Sequence, residues 1–331
     1  MAATAEEPPA AGVREVLAEL GVAGAETAAL TEIPGGASRE TYAVELNRGD
    51  GGSRRFVLRR DPPGAESLVP QAGEFRLLRL AAEAGVPVPE ALHLEPAGGR
   101  FGTPGMLLSF VEGQSVAPRV LRREELAGAR AKLTAQWGEA LARIHAIDPA
   151  ASGLPEPGPD PALAQIEHWE AALDAIGEPL PAIELGLRWL RANRPEPVPP
   201  AVVHGDFRLG NFIVDERGLA AVIDWELAHL GDPAEDLAWL CIRSWRFGED
   251  SREVGGVGDL EELLAAYESA GGPPADQDRL RYWSVFGNLK WAVICARQAH
   301  DHTSGLRRSH ELASLGRRIC EPEWDMLELI A

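Results

Sequence analysis

Apolar positions along this chain follow two rhythms, and the switches between them mark its parts. Residues 12–20, GVREVLAEL, carry apolar side chains at helical spacing behind a Pro/Ala-rich start, which predicts a short amphipathic helix. The period then drops to two. TYAVEL and RRFVLRR read as strands, and the Gly/Asn/Asp cluster NRGDGGS between them makes them a hairpin. QAGEFRLLRLAAEAG returns to helical spacing and stops at Gly85, with Pro87 and Pro89 beyond it, and GMLLSFVEG is again strand-like. Residues 1–112 are therefore expected to form a small α+β unit with strands before and after one helix, and residues 113–331 a larger, mostly helical unit. Helical patterns cover 124–147, 161–176, 182–193, 233–245, 260–270 and a long stretch from about 276 to 330. The exception is 201–224, where AVVHG, NFIV and LAAVID predict three short strands joined by polar turns.

Composition narrows the class. The chain has 331 residues and 45% apolar content, enough to bury a sizeable core in two lobes. No apolar run approaches the roughly 20 residues that a membrane helix needs. The start, MAATAEEPPAAG, lacks the basic and apolar regions of a secretory signal, which predicts a cytoplasmic protein. Cys241, Cys295 and Cys320 have no metal-ligand spacing and read as reduced, buried thiols. A net charge of −19 argues against nucleic acid or an anionic membrane as partner, since both need a basic footprint. Lysine occurs only as Lys132 and Lys290, so Arg supplies nearly all the positive charge.

The densest chemistry is HGDFRLGN, residues 204–211, followed by DWE at 224–226. His204, Asp206 and Asn211 fit the HxDxxxxN catalytic-loop spacing of kinase-like phosphotransferases. In that arrangement a loop Asp takes the acceptor's proton, which assigns Asp206 as the catalytic base. The amide oxygen of Asn211 turns back toward a metal, and Asp224, at the end of the LAAVID strand, adds the carboxylate oxygen that Mg²⁺ prefers. An isolated HGD is an ordinary turn, and a lone Asp at a strand end is an ordinary cap. The ordered set on a strand-loop-strand frame makes the pattern specific.

HGDFRLGN with DWE and GDPAEDLAWL resembles the aminoglycoside phosphotransferase and choline kinase superfamily, whose members have a bilobal, protein-kinase-like fold. YWSVFGNLKWAVICARQ and ELASLGRRICEPEWDML resemble the branch that includes kinase-like domains fused to some acyl-CoA dehydrogenases. The resemblance implies ATP or GTP and Mg²⁺ as cofactors, a small hydroxylated acceptor, and nucleotide contacts in the first lobe. Ser38, behind Gly35 and Gly36 in PGGASRE, would donate to phosphate oxygens. Relatives often carry Lys on the following strand; no Lys precedes Lys132 here, so Arg59 takes that place, with Arg60 on the opposite face. Glu74, bordering the apolar face Leu77, Leu78 and Ala81, would be its acidic partner. Ser109, Phe110 and Val111 would form the hinge facing the purine. Asp236 would brace the catalytic loop, and His204 reads as scaffold. Asp232 with Pro233 and Glu235 has the form of a helix cap. Arg208 and Glu226 are left without an assigned role.

Two other classes compete with a kinase: a binding module that holds nucleotide without turnover, and a metal-dependent hydrolase. The intact Asp206, Asn211 and Asp224 argue against the first, and the lack of a His or carboxylate cluster at metal spacing against the second. For the acceptor, the run from Lys290 to Arg318 holds six cationic residues against Asp301 and Glu311. Either it is a solvated helix face or it lines a recess for an anionic acceptor such as a hydroxyacyl-CoA, in place of an aminoglycoside or choline-like amino alcohol.

Overall fold

The computed structural model describes residues 9–33, 39–47, 53–62 and 69–331. Helix α1 (Ala10–Glu19) is followed by β1 (Ala29–Glu32), β2 (Glu40–Asn47), β3 (Ser53–Arg60), α2 (Gln71–Glu83), β4 (Ala91–Glu95) and β5 (Gly105–Ser109). The five strands make one antiparallel sheet in the order β1-β2-β3-β5-β4. Period-two alternation sorts its faces. Tyr42, Val44, Leu46, Phe56 and Leu58 point outward and are covered by Val13, Val16 and Leu17 of α1. The other face, with Met106 and Leu108, packs with Leu77, Leu78 and Ala81 of α2. The hairpin and the single helix after it are as expected from the sequence; β1 and β4 extend the sheet beyond the expected strands.

The second lobe contains α3 (Ala117–Arg122), α4 (Ala127–His145), α5 (Pro149–Ser152), α6 (Pro161–Ile176) and α7 (Pro181–Ala192), then β6 (Ala201–Val203), β7 (Phe212–Asp215), β8 (Gly218–Val222) and β9 (His229–Gly231). It ends with α8 (Ala234–Cys241), α9 (Leu260–Ser269), α10 (Gln277–Thr303), α11 (His310–Leu315) and α12 (Cys320–Ile330). The fold is α+β and bilobal, of protein-kinase-like architecture. β6 pairs with β9 and β7 with β8, so residues 204–211 are strung between two small ribbons. The long C-terminal stretch is three helices, interrupted after Ser304 by Gly305 at φ 81. One apolar cluster runs without a break from α2 and β5 through α4, Phe207 and Phe212 to α10 and Met326.

Burial pushes the thiols of Cys241 and Cys295 up to about 12. Cys320, expected to be buried, is exposed. Among the described residues no helix is long and apolar enough to cross a membrane.

Candidate active site

The loop from His204 to Asn211 is held in place by α8. Asp236, fully buried, accepts the backbone N–H of His204 at 2.7 Å and that of Gly205 at 3.0 Å, and His145 approaches the same carboxylate at 3.2 Å. Burial would raise the Asp236 carboxyl, but His145 and the donated N–H groups hold it below the usual range. Gly205 sits at φ 78, and a Cβ there would meet the Leu227 carbonyl oxygen at 2.3 Å, so only glycine allows the turn that exposes the next residue. His204 is fully buried, and burial pushes its pKa down. The neutral ring accepts the Asp206 N–H on Nδ1 at 3.2 Å, which makes it scaffold for the loop.

Asp206 is gripped by three donors. Its Oδ1 accepts from Arg208 Nε at 2.9 Å and from Trp239 Nε1 at 3.0 Å; its Oδ2 accepts from Asn211 Nδ2 at 2.6 Å. Asn211 Nδ2 also reaches the Asp206 carbonyl at 3.0 Å. Both amide hydrogens of Asn211 are thereby committed, and its Oδ1 is left without a donor among the described residues.

Asp224 lies two residues past the end of β8 instead of closing it, at φ 70, one of two described non-glycine residues with positive φ. That conformation is sparse for any side chain except Asn and Asp, and it turns the carboxylate away from the ribbon. Oδ1 of Asp224 accepts from Arg59 Nη2 at 2.8 Å. Burial opposes ionisation here, yet the charge and hydrogen bond of Arg59 hold Asp224 below the usual carboxylate range.

Arg59 also bonds Glu74 through Nη1, as the sequence predicts. Glu74 is fully buried, and its second oxygen ion-pairs with Arg39, a residue that sequence reasoning missed. Arg39 in turn lies 3.3 Å from Asp61. The Trp225 N–H reaches Glu74 at 3.4 Å, so one carboxylate joins β3, α2 and the segment after β8. Arg60 points to the opposite face, onto Glu40 and the Phe101 carbonyl.

In the segment expected to form the hinge, Ser109 is tied to the residue before β4: its N–H donates to Glu90 O at 2.9 Å and its hydroxyl accepts the Glu90 N–H at 2.8 Å. The Val111 N–H has no acceptor among the described residues. Phe110 lies under the Arg55 guanidinium, 4.1 Å from ring centre to carbon. Gln114 then pairs with Val214 of β7, anchoring the crossover between lobes. Ser38, Gly35 and Gly36 lie outside the described residues.

Asn211 Oδ1 and the ionised Asp224 suit a hard cation such as Mg²⁺. They are a sparse pair, and no group of three or more His, Cys, Asp or Glu that could hold a metal occurs among the described residues. Nucleotide phosphates and water would have to complete the shell.

The first member of the basic run does not reach the surface. Lys290 is buried on α10, bonded to the Gly205 carbonyl at 2.6 Å and to Glu235 at 3.1 Å. Glu235 is correspondingly no capping residue: it bridges Lys290 and His229, both oxygens engaged inside the lobe. Arg318 pairs with Glu321. A recess of about 640 Å³ is lined by Arg243 and Arg318 but also by Asp250, Glu321 and Asp325, with Phe247 and Trp324 as apolar walls, and no residue of the 204–211 loop lines it.

Residues 29–283 match the phosphotransferase enzyme family. The chain is 34% identical over 284 residues to mouse acyl-CoA dehydrogenase family member 10, covering 80% of this chain and 26% of that one. It is 30% identical over 260 residues to the rat family member 11, covering 72% and 32%. The chain thus spans about a quarter to a third of the length of these relatives. A homoserine kinase from Methylocella silvestris is 28% identical over 195 residues, 55% of this chain and 54% of that one. Among solved structures, a Ralstonia eutropha protein assigned to the aminoglycoside phosphotransferases superposes with a TM-score of 0.71 at 23% identity, over 96% of this chain and 98% of that one. An aminoglycoside phosphotransferase in complex with AMP-PNP and hygromycin B gives 0.59 at 19% identity, over 94% and 97%.

Proposed function

The chain belongs to the phosphotransferase enzyme family, and from that premise we propose that it is a small-molecule kinase moving the γ-phosphate of ATP or GTP to a metabolite hydroxyl. The observation that carries this reading is that Ile223, next to Asp224, donates its N–H to the Asn211 carbonyl at 2.9 Å, which sets the Asp206–Asn211 loop beside Asp224 and its Arg59–Glu74 partners. In the reaction Asp206 Oδ2 takes the acceptor's proton as the new O–P bond forms. The bond from the γ-phosphorus to the bridging oxygen breaks, and the nucleoside diphosphate leaves. Arg59 grips the nucleotide phosphates, with Glu74 aligning it, and Ser38 donates to them. The hinge Ser109, Phe110 and Val111 faces the purine, where the uncommitted Val111 N–H is the donor. Asn211 and Asp224 hold Mg²⁺, which when bound neutralises phosphate charge. Residues 1–112 supply the nucleotide side and 113–331 the catalytic loop and acceptor side.

For the acceptor, a hydroxyacyl-CoA is the concrete candidate. Its support is the set of relatives at about 30% identity named as acyl-CoA dehydrogenase family members. Burial of Lys290 and the pairing of Arg318 with Glu321 weaken the charge argument for an anion, so the choice leans on those relatives. A side-by-side assay of ATP consumption with hydroxyacyl-CoA thioesters, choline and kanamycin-type aminoglycosides decides it. Turnover of a cationic class with none of the thioesters excludes the candidate. A nucleotide-binding module without turnover is the second reading, favoured by Arg59 standing where relatives often have Lys.

Two substitutions test the site. In Asp224→Ala the extra thermal stabilisation that Mg²⁺ adds to ATP falls to near zero, because half of the protein's oxygen ligands are gone. A retained Mg²⁺ increment places the metal elsewhere. Arg59→Met weakens ATP binding about tenfold or more, the scale of a charge-assisted hydrogen bond, and leaves adenosine binding within about twofold. Equal losses for both ligands mean general damage to the first lobe.

A further inference from the structure

Asp206 and its two loop partners cannot by themselves fix where the carboxylate points. Arg208 and Asn211 lie two and five residues away on the same loop and move with it. The third donor differs in kind. Trp239 comes from α8, 33 residues on, is 1% exposed, and places its indole N–H 3.0 Å from Asp206 Oδ1. It is the one donor that ties the carboxylate to the body of the lobe.

Trp239 is itself fixed on every side. Lys290 Nζ lies 4.7 Å from its ring centre, and the Trp245 ring packs at 5.1 Å. Trp245 packs on Trp291 at 4.6 Å and carries the Arg208 guanidinium at 4.4 Å on its face. Three tryptophans thus form a floor on which the Asp206 end of the loop rests. Asp236 and Trp239 stand three residues apart on α8, on one face of the helix, so this helix holds the loop twice: Asp236 at the backbone and Trp239 at the side chain.

Counting acceptor sites shows what this does. An ionised carboxylate offers about four lone-pair sites. Arg208 and Trp239 fill those of Oδ1, and Asn211 takes one on Oδ2. One remains, on Oδ2. We infer that Trp239 is a positioning residue for phosphoryl transfer, saturating Oδ1 so that Oδ2 alone receives the acceptor's proton. The inference rests on the reading of Asp206 as the base.

The test removes the N–H and keeps the ring. Trp239 is replaced by 3-benzothienylalanine, a fused-ring isostere with sulfur in place of N–H, and separately by Phe (Trp239→Phe). ADP release from MgATP is followed with water standing in for the acceptor. The isostere lowers kcat about tenfold, the usual scale for one hydrogen bond to a charged group, leaves the nucleotide KM within about twofold, and melts with the wild type. A wild-type kcat in the isostere overturns the inference, as does a parallel change of kcat and KM. A second measurement needs no turnover. The ¹⁵N-indole resonance that disappears in Trp239→Phe shifts upfield in Asp206→Asn, where the acceptor loses its charge; an unmoved resonance also overturns the inference. Asp206→Asn assayed alongside separates the two readings. If it retains turnover, the assignment of the base has failed; if it is inactive while the isostere is normal, only the positioning role has.

Discussion

Asp206→Asn lowers turnover about 10² to 10⁴-fold, the range for loss of a positioned general base, and leaves nucleotide affinity within about twofold. The geometry explains why so small a change is so costly. Oδ1 of Asp206 receives two donors, from Arg208 and Trp239, so the carboxamide oxygen settles there and the new NH₂ takes the place of Oδ2. That NH₂ then faces the Asn211 amide and the acceptor hydroxyl with hydrogens where a lone pair is required. Volume and backbone contacts are unchanged, so the protein folds. Steady-state kinetics with an identified acceptor, beside equilibrium binding of a non-hydrolysable nucleotide, measures both quantities. Near-normal turnover rules out Asp206 as base.

Lys290→Met destabilises the fold by about 3–5 kcal/mol, the cost of stranding a buried charge. Lys290 is 1% exposed, and its removal leaves Glu235, 2% exposed, with His229 as its remaining cationic partner. Burial alone would lower the His229 pKa, but Glu235 raises it above the ordinary value. A His with a raised folded-state pKa contributes its full stabilisation below its unfolded pKa and loses it as pH rises through the folded one. The Lys290→Met deficit is therefore smaller near pH 6 than near pH 8.5, as urea-unfolding midpoints at the two values will read. Adding Glu235→Gln recovers part of the loss, because the stranded charge is gone. A double variant no more stable than the single shows that Lys290 acts by packing alone.

Much of this was legible in the sequence because the signals were local. The hairpin is two runs of period two around a Gly-rich turn in the sequence, and the long second-lobe helices α4, α6, α7 and α10 carry their periodicity over three turns or more. HGDFRLGN holds His204, Asp206 and Asn211 within eight residues. The strands that sequence reading missed are defined by pairing and not by pattern: β1, β4 and β9 are four, five and three residues long, and each is a strand only because β2, β5 or β6 lies beside it. The same holds for side chains. Arg39 meets Glu74 across 35 positions and Lys290 meets Glu235 across 55, and no spacing rule reaches so far. Glu235 has the sequence form of a capping residue, but the buried lysine across the lobe claims it. Trp291, distant in sequence from Trp239 and Trp245, likewise comes together with them to pave the floor beneath the loop.

The apolar cluster that continues from α2 and β5 into α4 and α10 makes the two lobes mechanically distinct but thermodynamically one. Leu77, Leu78 and Ala81 of α2 are seated in a core that belongs mostly to the second lobe. Cutting the chain near residue 112 would strip Leu77, Leu78 and Ala81 of their neighbours and leave an apolar scar on both fragments. Because the cluster is shared, thermal or denaturant unfolding is expected to take both halves together, with probes in the first sheet and in the helical lobe giving coincident transitions.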